Sequence, residues 1–111
     1  NIGNMTLENS TISGNSSPGA GGGVYSLTAG TGAIRNTTIS GNSASIGGGL
    51  LVNNTISVNN VTVVGNTATT SGAGIHSGVG DAQTATLTIT NSLIAGNTVN
   101  GTSQNCARGA G

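Results

Sequence analysis

The chain reads as an all-β protein, a right-handed parallel β-helix of about four coils with three short strands in each, and three observations predict this. The first is a recurring block: Asn9-Ser10-Thr11-Ile12-Ser13-Gly14-Asn15, Asn36-Thr37-Thr38-Ile39-Ser40-Gly41-Asn42, Asn60-Val61-Thr62-Val63-Val64-Gly65-Asn66 and Asn91-Ser92-Leu93-Ile94-Ala95-Gly96-Asn97. Its glycines lie 27, 24 and 31 residues apart, a period at which repeats stack into solenoids. The second is a set of apolar columns at fixed offsets from that glycine. The third is what is missing. Gly and β-branched residues are too frequent for amphipathic helices, and Asn100-Gly101 is the only Asn-Gly, so the two-residue turns of a hairpin array are lacking. The right hand follows from the way strand, crossover and parallel strand connect.

Seven residues before the block glycine, in the first strand of each coil, stand Leu7, Ile34, Val58 and Ile89. Two residues earlier stand Met5, Gly32, Ile56 and Leu87, and between them the small residues Thr6, Ala33, Ser57 and Thr88. This alternation predicts a half-buried strand with one internal file. Glu8 and Arg35 then occupy matching outward positions on adjacent coils, where an exposed ion pair is expected.

Five residues before the glycine, Asn9, Asn36, Asn60 and Asn91 recur. Alternation would turn them inward, and asparagine also tolerates the left-handed backbone of a tight corner. Stacked one coil apart, their amides are placed to bond one another in a ladder. The second strand carries Ile12, Ile39, Val63 and Ile94 inward. A second asparagine column, Asn15, Asn42, Asn66 and Asn97, directly follows the glycine and marks another corner. All eight asparagines are read as a structural ladder.

Gly21-Gly22-Gly23-Val24, Gly47-Gly48-Gly49-Leu50 and Gly72-Ala73-Gly74-Ile75 open the third strand, with small residues letting successive turns of backbone come close. Val24, Leu50 and Ile75 should point inward. Cys106 follows Asn97 by the same interval as Val24 follows Asn15, which predicts a buried core thiol. The segments Thr28 to Gly32, Asn53 to Thr55 and Ser77 to Thr84 vary in length between repeats and are expected to be loops.

Gly, Asn, Ser and Thr make up 66 of the 111 residues, with no Phe or Trp and a single Tyr25. Such a composition suggests disorder, but a disordered segment has no reason to keep apolar residues in register. One domain over residues 1–111 is the reading. Full charge rests on Glu8, Asp81, Arg35 and Arg108 alone, so neither a nucleic-acid surface nor an anionic-membrane patch can be built. No apolar run reaches the length needed for membrane insertion.

The four Ile/Val-x-Gly-Asn elements ending at Asn15, Asn42, Asn66 and Asn97 resemble the Phe-x-x-Asn element of polymorphic outer-membrane protein repeats, with Ile or Val in place of Phe. The blocks ending in Val24, Leu50 and Ile75 resemble the same family's Gly-Gly-Ala-Ile element. Coils such as Asn36 to Leu50, and the run from Ser92 to Asn97 into Asn105-Cys106, are also similar to large bacterial surface and secreted proteins with right-handed parallel β-helix repeats. The resemblance implies a β-helix in an extracellular or cell-surface setting and carries over no catalytic motif.

Enzymatic readings find little to work with. Acid–base cleavage of a glycosidic bond needs two facing carboxyl groups, and Glu8 and Asp81 lie on the first coil and the third loop. Two distant carboxyls also cannot assemble a calcium cluster for a lyase. His76 lacks an obvious acidic partner, and the threonine columns are too irregular for an ice-matching array, with Leu93 breaking the file of Thr11, Thr38 and Thr62. The expectation is a non-enzymatic structural or adhesive element with no metal or cofactor, and a carbohydrate-binding surface on loops 28–32 and 77–84 as the alternative. Neither terminus carries an evident cap over its strand edges, so the chain is expected to stack end to end with itself or to continue into neighbouring coils of a longer solenoid.

Overall fold

The computed structural model describes residues 4–27, 30–78 and 85–108, and within them the chain is all β. The first coil holds β1 (Met5–Glu8), β2 (Thr11–Ser13) and β3 (Val24–Ser26). The second holds β4 (Thr31–Arg35), β5 (Thr38–Ser40), β6 (Ser43–Ile46) and β7 (Leu50–Val52). The third holds β8 (Thr55–Asn59), β9 (Thr62–Val64), β10 (Thr67–Ser71) and β11 (Ile75–Ser77), and the fourth β12 (Thr86–Thr90), β13 (Leu93–Ala95), β14 (Thr98–Val99), β15 (Thr102–Ser103) and β16 (Cys106–Arg108). Equivalent strands pair in parallel one coil apart, giving sheets β1-β4-β8-β12, β2-β5-β9-β13 and β3-β7-β11-β16. The result is a four-turn parallel β-solenoid.

A fourth sheet, β6-β10-β14-β15, completes the coil. Its strands are mostly Ser, Ala and Thr, with Ile46 and Val99 the only larger apolar side chains, so the contrast between apolar and polar positions is weak and period-two reading passes over them. In the first coil this side is reduced to two bridges, Ser16 to Ser43 and Ala20 to Ile46. Pro18 stands between them, and a proline cannot donate a ladder bond.

The interior is a file-by-file stack. Leu7, Ile34, Val58 and Ile89 share one register column, and Ile12, Ile39, Val63 and Ile94 another. The middle coils bury theirs completely: Ile34, Ile39, Val58 and Val63 have no exposed surface. Leu7, Ile12 and Ile94 are half-buried, and Ile89 keeps 37 % of its surface exposed. A side chain in an outer coil has a neighbour above or below but not both. Gly32, the exception in the Met5 column, is a packing device: Ile56 in the next coil fills the space where a Cβ would stand.

The first asparagine column departs from the inward placement that alternation predicts. Asn9, Asn36, Asn60 and Asn91 have φ of 52°, 48°, 53° and 47°, and all four are exposed. One left-handed residue reverses the alternation, so the residue after each turns in instead. Thr37 and Val61 are accordingly buried. Where that inward residue is polar it closes on the backbone two residues back: Ser10 Oγ donates to the Glu8 carbonyl, Thr37 Oγ1 to Arg35 and Ser92 Oγ to Thr90, each at 2.8 Å.

Cys106 also requires correction. It holds the expected register opposite Ile75, yet it is exposed because no described coil stacks on its far side.

Glu8 and Arg35 meet as their columns foretell, with Arg35 Nε 3.6 Å from Glu8 Oε2 and both side chains about half exposed. A pair so solvated contributes under about 1 kcal/mol. Arg35→Gln should therefore shift the urea midpoint only slightly, and salt should erase the difference. A larger loss at high salt would refute that estimate.

Candidate functional site

The second asparagine column forms the continuous polar feature of the molecule. Gly14, Gly41, Gly65 and Gly96 take φ of 63° to 69°, a left-handed turn that aims the next side chain into the coil. Asn42, Asn66 and Asn97 have no exposed surface, whereas Asn15 is exposed on the first coil. Each side-chain oxygen accepts two bonds from the asparagine one coil earlier. Asn42 Oδ1 takes Asn15 N and Nδ2 at 2.9 and 3.0 Å, Asn66 Oδ1 takes those of Asn42 at 3.0 and 3.0 Å, and Asn97 Oδ1 takes those of Asn66 at 3.0 and 2.9 Å. Each buried amide nitrogen also donates back to the preceding coil, to the carbonyls of Ile12, Ile39 and Val63 at 3.0, 3.0 and 2.9 Å. Donors and acceptors are thus satisfied along the stack, as buried amides require.

The ladder ends on a residue that no repeat announces. Asn97 N and Nδ2 donate to Asn105 Oδ1 at 3.1 and 3.0 Å, eight residues on in the same coil. Asn100 and Gly101, with φ of 49° and 83°, turn the chain so that β15 runs antiparallel to β14. That reversal brings Asn105 to where a fifth coil would supply its asparagine. Beside it, Gln104 Oε1 accepts the Gly72 N–H, replacing the backbone carbonyls that Gly21 and Gly47 find in Ile46 and Ser71. The Asn-Gly pair was the one sequence signal for this device.

The corner asparagines form no comparable chain. Their sole rung among the described residues is Asn36 Nδ2 to Asn9 Oδ1 at 3.3 Å. Their common property is backbone geometry, with amides left to solvent.

On the outer face of the fourth sheet runs a shallow groove of about 390 Å³. Ser16, Ser43, Ser45, Thr67, Thr69 and Thr98 supply hydroxyls along it, over a floor of Ala44 and Ala68. Ser43 Oγ donates to Ser16 Oγ at 3.1 Å. The groove can exchange hydrogen bonds with a neutral ligand and has no charged group to ionise or polarise one.

Among the described residues no three His, Cys, Asp or Glu side chains gather as metal ligands. Glu8 is held by Arg35, while Asp81, with residues 28–29 and 79–84, lies outside the described residues. Thr31 and Gly32, expected in a loop, belong to β4, Thr55 to β8 and Ser77 to β11, because pairing with the neighbouring coil extends each strand into the variable segment. Although Cys106 is exposed, partial desolvation of the thiol raises its pKa, which disfavours the nucleophilic thiolate. His76 is 5 % exposed with Nδ1 unpartnered. Desolvation lowers its pKa, outweighing a hydrogen bond with the Gly78 backbone that raises it. Above about pH 6.5 the imidazole is neutral in folded and unfolded chains alike; as pH falls below that, the unfolded chain gains a proton that the folded one resists, so stability declines. Thermal melts between about pH 7 and pH 5 should show this loss, and His76→Gln should flatten it.

No family model, curated protein or solved structure matches the chain.

Proposed function

We propose that this chain is a non-enzymatic structural segment of a solenoid stalk, fibre or adhesin, working at the cell surface or outside the cell. Its partners are neighbouring coils, either of a longer chain or of a second copy stacked end to end. The observation that supports this reading is the polarity of the asparagine ladder. Every rung points the same way. No described residue donates to Asn15 Oδ1, so the first coil offers the acceptor that an added coil would fill.

Sedimentation and electron microscopy of the 111-residue chain test the assembly, with concentration-dependent fibres expected. A monomer that stays soluble at every concentration would overturn end-to-end stacking. Hydrolase and lyase assays on polysaccharides test the rest: turnover that disappears in an Asp81→Ala variant would defeat the non-enzymatic role.

The hydroxyl-lined groove favours one second reading, recognition of an uncharged glycan. A glycan array separates the two, since binding lost on Thr67→Val would move the function from the coil ends to this face.

A further inference from the structure

We propose that the exposed corner column is an acceptor for N-linked sugar, with Asn9 and Asn60 as the sites that fill. The inference goes beyond the structural role and does not depend on it. The acceptor pattern is Asn followed two residues later by Ser or Thr, and an Asn- and Thr-rich chain matches it often without meaning. Here the fold sorts the matches. The buried rungs Asn42, Asn66 and Asn97 are followed at that position by Ala44, Ala68 and Val99, so none of them carries the pattern. Asn15 does, but its amide nitrogen is committed to Asn42 Oδ1 and the Ser13 carbonyl. Asn53 also does, and is buried; Asn100 does, ahead of Thr102, with its amide nitrogen donating to the Thr69 carbonyl at 3.0 Å. Asn4, ahead of Thr6, is exposed with only its Oδ1 engaged, by Thr31 N, and is a further open site outside the corner column.

The corner positions differ on every count. Asn9, Asn36 and Asn60 are exposed, and Thr11, Thr38 and Thr62 follow at the required spacing. Because the left-handed corner turns the middle residue inward, asparagine and threonine stand on the same outer surface. Asn9 Nδ2 and Asn60 Nδ2 have no hydrogen-bond partner among the described residues, whereas Asn36 Nδ2 donates to Asn9 Oδ1. Asn91, with Leu93 two residues on, drops out of the series.

The chemistry is a substitution at the anomeric carbon of a glycosyl diphosphate, nucleotide- or polyprenyl-linked, brought by a separate transferase. The amide nitrogen forms the new bond to C1, the C1–O bond to the diphosphate breaks, and the nitrogen loses one proton to the transferase base. Adjacent corners lie roughly 4.8 Å apart along the stack, too close for sugars on both. Alternate coils leave about 10 Å, which admits Asn9 and Asn60 with Asn36 bare between them.

The test treats the folded chain with a soluble transferase specific for Asn-x-Ser/Thr and a nucleotide-activated hexose, then maps modified peptides by mass spectrometry. Sugar is expected at Asn9 and Asn60 in the corner column and at Asn4 outside it, with less than a tenth as much at Asn36, Asn15, Asn53 and Asn100. Thr62→Val should abolish it at Asn60 without moving the melting temperature, and Asn9→Gly with Asn60→Gly should open Asn36. A polyprenyl-linked donor with its own transferase distinguishes the two sugar sources by which one is used. The proposal is overturned if the folded chain stays bare while the urea-unfolded chain is modified at Asn60, or if Asn53 fills as fast as Asn60.

Discussion

Asn66→Ala is expected to cost about 3–5 kcal/mol of folding stability, read as a fall in the urea midpoint. The side chain is fully buried, and its loss takes a hydrogen-bond partner from several buried groups at once. Asn42 N loses its acceptor outright, Asn42 Nδ2 keeps only the Ile12 carbonyl, Asn97 Oδ1 loses the Asn66 amide and keeps the Asn66 backbone N–H, and the Ile39 carbonyl loses the amide that reaches back to it. Each buried group left unsatisfied costs about 1–3 kcal/mol, and relaxation or an entering water recovers part of the sum. Asn15→Ala supplies the contrast, because Asn15 is exposed and water can replace what Asn42 Oδ1 loses. It should cost no more than about 1 kcal/mol. Equal losses for the two variants would mean that the ladder is not a buried network.

The second large effect is expected at Gly49. A Cβ there would stand 2.6 Å from the Gly74 carbonyl oxygen and 3.0 Å from Asn66 Nδ2, so Gly49→Ala pushes apart two coils and the ladder rung between them. Backbone on one side and a fully bonded amide on the other leave little room to yield. About 3 kcal/mol is the expected loss. Gly65→Ala provides the comparison from the same repeat. Its φ is 64° with nothing within 4 Å of the added carbon, so the cost is left-handed strain alone, about 1–2 kcal/mol. Gly65→Asn should recover much of that strain and Gly49→Asn none of its clash, since asparagine tolerates the left-handed region but still carries a Cβ.

Both variants show how much the repeat reveals. The four coils, the parallel register and the two apolar files follow from spacing alone, because a solenoid pairs each residue with its equivalent one period away. The role of the third glycine in each block is legible for the same reason: Gly23, Gly49 and Gly74 recur where backbone must approach an asparagine of the stack.

Spacing could not rank the two asparagine columns. Both are invariant in the four copies, and alternation suggested the first column as the inward one. Burial went to the second, because a left-handed residue inverts the alternation and the torsion belongs to the asparagine itself in one column and to the preceding glycine in the other.

The sequence by itself determined what repeats: the solenoid, its register, its apolar files and the exposed ion pair. Tertiary structure alone decided what does not repeat. Asn105 and Gln104 close the stack only because the Asn100-Gly101 hairpin reverses the chain beneath it. Cys106 and Ile89 are exposed because, among the described residues, their coil has a neighbour on one side only. Periodicity fixes a residue's column, which is a local property, whereas burial depends on how many coils cover that column, which is a property of the whole stack.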